Sequence, residues 1–316
     1  MKAVFSYPRL SKADFAYFRI GGNGLGNLLF TWARCLSASR RNHWRMIWPA
    51  WYSHKPKNKR VNPYDHRTYG DLFIPTNEYI SGLAKLPHLL FRRRISEAQS
   101  AQSPPKPGQL VQFRGMEGKF EPFLHNLELV RTELLRITRN RHLVGYLADD
   151  PAPLALHIRR GDFLRRGSFD DIVQNRNSLL PLEWYIAALE QVRENIGKPV
   201  RASVFSDGTA EELAPLLRMK RVQRVEYGSS IADILAMARS RLLIGSDSTF
   251  SQWASYLGQV PGIWHPGKLK QSMMLLQPAL ETEWAQGDSM PDWVVPVLES
   301  DRTPSRRASP TMEIEQ

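Results

Sequence analysis

Between residues 154 and 258, short apolar runs alternate with segments whose apolar residues recur at helical spacing, and few folds accommodate that pattern. The run 154–158, Leu-Ala-Leu-His-Ile, follows Pro151 and Pro153 and is expected to be a buried strand. Residues 181–196 open with Pro181 and place Trp184, Ala188, Leu189, Val192 and Ile196 on one helical face. Strands are expected at 200–205, 222–226 and 241–245. Helices are expected at 209–219, 231–240 and 250–258. Strands that alternate with helices imply a parallel sheet covered on both faces.

The first half is less regular. Residues 15–20 read as a strand, followed by a Gly-rich loop at 21–27, a helix over 28–40 and a strand over 44–48. Two αβ halves are therefore expected, 1–150 and 151–300, joined near Asp149–Pro153, with ligands in the cleft between them. Residues 96–108 are rich in Ser, Pro and Gln and read as a loop. Residues 301–316 read as a disordered tail.

Charge and cysteine usage narrow the function classes. Lys and Arg number 43 against 31 Asp and Glu, a formal net charge of +12, so anionic partners are favoured: a nucleotide, a nucleic acid or an acidic membrane face. Cys35 is the only cysteine, which excludes an intrachain disulfide and a cysteine-based zinc site. No stretch approaches the roughly 18 apolar residues of a membrane span, and no signal-peptide pattern is present. A cytoplasmic protein is the resulting expectation. The cluster Arg92, Arg93 and Arg94 reads first as a solvated face, with a peripheral contact to anionic lipid as the alternative. A nucleic-acid partner rests on charge alone and is not expected, because no recognition motif accompanies it.

Four motifs carry chemistry. The loop from Gly21 to Asn27 precedes a helix, a setting that presents backbone N–H groups to phosphate, although it departs from the strict dinucleotide pattern. His157-Ile158-Arg159-Arg160-Gly161-Asp162 ends a buried strand, where open α/β sheets bind ligands. Alternation puts His157 and Arg159 on one face. Arginines there need an anion or a carboxylate, so Arg159 reads as a phosphate ligand; Arg160 reads equally as a ligand or as the ion-pair partner of Asp162. In Gly245–Ser251, Ser248 or Thr249 is a natural N-cap, and the same groups make an anion site. Ser230 and Asp233 make a near capping box, with purine recognition as the other reading of Asp233. Asp207 follows a strand and either caps the next helix or faces the cleft. No His-Glu-x-x-His or other metal-ligand pattern occurs.

Taken together, these motifs are more specific than any one of them. Gly-Leu-Gly-Asn-x-x-Phe lies near the N-terminus and His-x-Arg-Arg-Gly-Asp at mid-chain. Leu-Glu-Trp-Tyr, Phe-Ser-Asp and Ser-Thr-Phe-Ser-x-Trp follow, with Asp233 seventeen residues before Phe250. In that order and spacing the chain resembles the alpha-1,2-fucosyltransferase family, and more loosely the alpha-1,6- and protein O-fucosyltransferases, over about residues 15–50 and 154–260.

The resemblance implies two Rossmann-like domains of the GT-B type, with parallel sheets facing a central cleft. It implies an inverting transfer of fucose from GDP-fucose to a glycan acceptor, without metal or other cofactor. By similarity, Arg159 holds the donor diphosphate and stabilises departing GDP. His157 and Asp233 lie near the guanine. Ser248, Thr249 and Phe250 lie at the phosphates and base, and Arg160 also serves the donor. Gly26 and Asn27 approach the sugar-diphosphate from the first domain. Asp162 is the nearest candidate for the base that takes the acceptor proton. Three departures stand out: Gln252 where the family often has a first Trp before Trp253, Leu28 where it usually has Gln, and no match over 50–150. An inactive GDP-sugar-binding module and a transferase of another nucleotide sugar are the competing readings.

Overall fold

The computed structural model describes residues 3–54, 68–161, 169–174, 178–275 and 277–300. Asp162, and with it the expected Arg160–Asp162 pair, lies outside the described residues, as does the expected tail 301–316. The chain divides into two compact units, Met1–His142 and Leu143–Gln316.

The first unit contains strands β1 (Phe5–Pro8), β2 (Ala13–Asp14) and β3 (Arg19–Ile20), helix α1 (Leu25–Arg41), and strands β4 (Arg45–Met46) and β5 (Ser53–His54). Helix α2 (Leu86–Phe91), strand β6 (Arg94–Ser96), helix α3 (Glu97–Gln102), strand β7 (Leu110–Phe113) and helix α4 (Leu127–Ile137) complete it. Its main sheet has the order β4-β1-β7-β6 and is parallel throughout. A second small sheet has the order β2-β3-β5.

Two expectations for this unit are corrected. Residues 15–20 do not supply a main-sheet strand; only Arg19 and Ile20 are extended, and they belong to the small sheet. Residues 15–18 form a turn instead, closed by Phe15 N–H donating to the Phe18 carbonyl (2.9 Å), with Ala16 at φ +69°. The strand that enters the main sheet is β1, whose four residues are all buried.

Residues 96–108 are not simply a loop. Ser96 and Gln99 form a reciprocal capping box that starts α3. Glu97 in its first turn accepts a two-pronged bond from the buried Arg34 guanidinium of α1 (3.1 and 2.9 Å). That ion pair supplies the order that composition concealed.

The second unit contains α5 (Val144–Leu147), β8 (Leu154–Ile158), α6 (Phe169–Gln174), α7 (Leu182–Ile196), β9 (Ala202–Ser206), α8 (Ala210–Leu217) and β10 (Val222–Arg224). It continues with α9 (Ser230–Met237), β11 (Leu242–Gly245), α10 (Thr249–Gly258), β12 (Gly262–Trp264), β13 (Glu281–Glu283) and α11 (Val294–Glu299). Its six strands run parallel in the order β10-β9-β8-β11-β12-β13. Each strand and helix read from the sequence between 154 and 258 is present within a few residues of its expected ends. The division at His142 and Leu143 places α5 with this unit because α5 packs on α9: a Cβ on Gly145 would meet Ala236 and Tyr227, and Arg239 donates to the Tyr146 carbonyl (3.0 Å).

The core of this unit lies on both faces of the sheet's central strands. Leu154, Leu156, Ile158, Val204 and Ile244 from the strands meet Trp184, Ala188, Leu189 and Val192 of α7. Helix α7 stops at Gly197, whose φ of +71° puts its N–H on the Arg193 carbonyl (2.9 Å). The Arg34 guanidinium of the first unit is buried between two carboxylates, Glu97 and Glu117. Glu97→Ala leaves that guanidinium with Glu117 as its remaining carboxylate. We expect a loss of about 2 kcal/mol, below the roughly 3–5 kcal/mol of a fully orphaned buried charge, measured as a shift in the urea unfolding midpoint.

Candidate functional site

The polar residues of the second unit collect where β8, β9, β11 and β12 end. Parallel strands align their carboxyl ends, and side chains just beyond the last ladder bond are released from the hydrophobic layers. The β8–β9 register pairs His157 with Phe205 and Ile158 with Ser206, so Arg159 and Arg160 leave the sheet beside Asp207.

Asp207 joins them. Its Oδ2 receives Arg159 Nη1 at 2.7 Å and its Oδ1 receives the Arg160 backbone N–H at 2.7 Å. The next helix takes its cap from Thr209, which forms a capping box with Glu212, so Asp207 is free of that duty. Gly161 and Gly208 permit the close packing: a Cβ on the first would sit 2.6 Å from Asp207 Oδ2, and one on the second 2.9 Å from Arg160 Cγ. The Arg160 guanidinium reaches the Leu180 carbonyl (3.4 Å), and its Nε is buried without a hydrogen-bond partner.

His157 is buried. Its Nδ1 lies 2.6 Å from Ser251 Oγ and 3.1 Å from Ser246 Oγ, and Ser251 Oγ also accepts the Ser246 N–H (3.1 Å). Burial, helped by the charge of Arg159, pushes its pKa down to about 3, so the ring is neutral at physiological pH. It therefore ties β8 to the β11–α10 turn without adding charge. Phe250 stacks parallel to it, centroids 6.0 Å apart. Ser248 is the N-cap of α10, its Oγ accepting the Phe250 N–H (3.3 Å), and Thr249 is the first helical residue. No acidic side chain occupies the first turn of α10, so the positive end of its dipole is not offset there.

Asp233 lies in the first turn of α9 on the same edge. The N-cap of α9 is Ser229, one residue before the expected Ser230, and its Oγ accepts the Ala232 N–H. Asp233 Oδ1 accepts the Tyr227 N–H (3.0 Å), and Tyr227 stacks on Phe205. Burial lifts the Asp233 pKa to about 6, with Glu226 adding to the lift and the Tyr227 bond opposing it.

Sequence reasoning gave no site role to two residues of this edge, Lys268 and Tyr185, the second of them in the Leu-Glu-Trp-Tyr motif. Lys268, almost wholly buried beyond β12, lies 3.5 Å from Asp247 Oδ2. The Gly267-Lys268 pair after a strand was its only signal. Tyr185 of α7 points its buried hydroxyl toward Ser246, in the field of Arg160, Asp207 and Asp247, yet among the described residues no group satisfies it with hydrogen-bond geometry. Its phenol pKa is raised far above the usual value, chiefly by burial.

The second unit thus gathers His157, Arg159, Arg160, Asp233, Ser248, Thr249 and Phe250 at one sheet edge. Gly26 and Asn27 belong to the first unit, in the first turn of α1, with Gly26 buried. Chemically, the edge sets Arg159, Arg160 and Lys268 and a helix N-terminus among the carboxyl groups of Asp207, Asp233 and Asp247, and its cations and free N–H groups suit a phosphate-bearing anion. Among the described residues, no group of three or more His, Cys, Asp or Glu side chains could hold a metal ion, and no helix is long and apolar enough to cross a membrane.

No protein-family model and no curated protein matches the sequence. Solved structures do. The structure titled NodZ alpha-1,6-fucosyltransferase co-crystallized with GDP is similar with a TM-score of 0.51 at 15% identity, covering 83% of this chain and 94% of that one. Fucosyltransferase NodZ from Bradyrhizobium gives 0.49 at 16% identity, over 83% of this chain and 95% of that one. POFUT1 in complex with GDP gives 0.45 at 14%, over 83% and 98%. The first likeness carries the fold: the α/β class with parallel sheets expected from the sequence is the observed one, and it is the GT-B class of these neighbours.

Asp233 supplies a test of this electrostatic description. Its folded pKa of about 6 exceeds the ordinary aspartate value of 3.8, so the folded state binds more protons between those values. Stability therefore falls as pH rises from about 4 to about 6, by up to about 3 kcal/mol. Asp233→Asn keeps an acceptor for Tyr227 and should flatten that descent. Urea midpoints of both proteins across the window check it.

Proposed function

We propose that this chain is an inverting glycosyltransferase that moves fucose from GDP-fucose to a glycan acceptor without a metal, in the synthesis of surface polysaccharide in the cytoplasm. The observation that carries the reading is Arg159, held by Asp207 at the sheet edge beside the N-terminus of α10. The fold likeness to a fucosyltransferase crystallised with GDP supports it, as does the ordered set of sequence motifs.

The chemistry follows from charge. Breaking the anomeric C–O bond proceeds through an oxocarbenium-like state, while negative charge grows on the departing diphosphate. A guanidinium that is already oriented, and a helix N-terminus already in place, stabilise that charge without reorganising. In the proposed mechanism Arg159 donates to the diphosphate oxygens, Arg160 and Lys268 add positive potential, and Ser248, Thr249 and Phe250 line the phosphate and base. His157, neutral and locked between two serines, fixes the α10 turn. Asp233 recognises the guanine, and Gly26 and Asn27 of the first unit approach the sugar-diphosphate. The acceptor hydroxyl loses its proton to a carboxylate, a role we assign to Asp162.

Thermal unfolding with GDP, UDP and ADP is the direct test. A ligand at about a hundred times its Kd adds roughly 2.7 kcal/mol, which moves the midpoint by roughly 5–10 °C for a chain of this size. We expect GDP alone to do so. Arg159→Lys keeps the charge but loses the planar fork, and should lower kcat for transfer from GDP-fucose by about a hundredfold. A response to UDP alone discards the fucose donor. GDP binding without any glycosylated product favours the inactive sensor.

A further inference from the structure

The most exposed large apolar side chains of the described residues lie together, in the first unit. Phe91 is 84% exposed, Leu83 79% and Leu90 64%. Gly82–Lys85 forms a 3₁₀ turn that runs directly into α2. Leu83, Pro87, Leu90 and Phe91 recur there at i, i+4, i+7 and i+8, the spacing of one helical face, and all four are exposed. The opposite face is also occupied: Lys85 and Leu89 are buried. A helical segment whose inner face is already buried and whose outer face is apolar is unsuited to water on the outer one.

The charge beside this ridge has one sign. From residue 79 to residue 96 there are four cations, Lys85, Arg92, Arg93 and Arg94, and no Asp or Glu. The Arg92 guanidinium is fixed over the Phe5 ring (3.8 Å) and donates to the Gly108 carbonyl (3.0 Å) and to His88 Nδ1 (2.6 Å). Arg93 and Arg94 are exposed beside it. Further arginines face the same neighbourhood: burial, then the charges of Arg9 and Arg94, lower the Arg114 pKa. The turn at residues 15–18 borders the ridge, because the Tyr17 hydroxyl donates to the Gly82 carbonyl (3.1 Å), and Phe15, Tyr17 and Phe18 are exposed as well.

We infer that this face docks on an anionic lipid bilayer, with Leu83, Leu90 and Phe91 entering the headgroup–acyl boundary and Arg93 and Arg94 pairing with lipid phosphates. Apolar tips flanked by arginines match the two layers of such a surface. A symmetric contact with a second copy would set arginine cluster against arginine cluster. A nucleic acid would satisfy the arginines and leave the leucines in water. The contact does not depend on the donor reading; where both hold, the transferase works at the bilayer, where lipid-carried glycans are presented.

Flotation of the full chain with vesicles of phosphatidylcholine, with or without phosphatidylglycerol, tests this. We expect binding only to the phosphatidylglycerol vesicles, weakened by salt. Arg93→Gln should weaken it roughly fivefold, and the double change Leu90→Ser with Phe91→Ser at least roughly tenfold. All three residues are exposed, so an unchanged melting midpoint and an unchanged GDP response establish that the variants are folded. Failure of the wild-type chain to float at low salt overturns the inference. So does binding that ignores the serine variants. Dependence of RNA binding, or of self-association, on these same residues without flotation overturns it in favour of those partners.

Discussion

An arginine cannot be left at the end of a buried parallel strand unless its charge is answered, and Asp207 answers that of Arg159. One carboxylate takes the side chain of Arg159 and the backbone of Arg160, from the neighbouring strand of the same sheet. Because β8 and β9 are in register, the clasp also fixes where the β8 loop leaves the sheet. The pair is only partly shielded from water, so its contribution to stability is modest. Its larger consequence is geometric: the Arg159 guanidinium is aimed before any ligand arrives, and a ligand anion does not have to supply the ordering entropy.

The second tie is uncharged. A histidine at the end of β8 would ordinarily titrate near neutrality, and a cation there would compete with Arg159. Burial keeps it neutral, and its Nδ1 joins the serines that begin and stabilise the α10 turn. The turn that presents a helix N-terminus is thereby bound to the strand that presents the arginines. Positive potential at this edge comes from the arginines, Lys268 and the helix N-terminus, while Asp233, its pKa raised to about 6 by burial, is a carboxyl group that opposes it when ionised.

The second unit was legible in sequence because its strands are covered on both faces. Leu154 to Ile158 and Leu242 to Gly245 are wholly buried, so they appear as unbroken apolar runs between helices with clear caps. The first unit was legible only in part: α1 contains the helix read over 28–40 and β4 falls within the strand read over 44–48, but the rest of the unit did not show. Its strands shrink to two residues in β2, β3, β4 and β5, too short for any period to register. The aromatic run at 15–20 carries strong strand propensity but is bent by Ala16, and its rings face solvent rather than a core. Helix α3 was hidden because its order comes from Glu97 reaching Arg34, 63 residues away. At the site, arginines and hydroxyls announced themselves by type and position. Asp207 left two roles open, which only the neighbouring cap on Thr209 resolved. Lys268 joins the edge from outside the quoted motifs, and Tyr185, the last residue of Leu-Glu-Trp-Tyr, reaches it from α7 through packing that local pattern does not encode.

That edge is kept at a cost in stability. The Tyr185 hydroxyl and Arg160 Nε are buried without a hydrogen bond among the described residues, and each such group costs about 1–3 kcal/mol. Asp233 is held in surroundings that oppose its ionised form, and Lys268 is lodged in the interior with Asp247 at 3.5 Å. A sheet end selected only for stability would carry apolar residues at several of these positions, as the rest of the second unit's core does. Polar groups left unsatisfied in the protein alone are satisfied when a polar ligand completes them. Arg160, Asp233, Asp247 and Lys268, charged side chains that burial disfavours, meet at the carboxyl end of one sheet, and that is the physical reason to place ligand chemistry there.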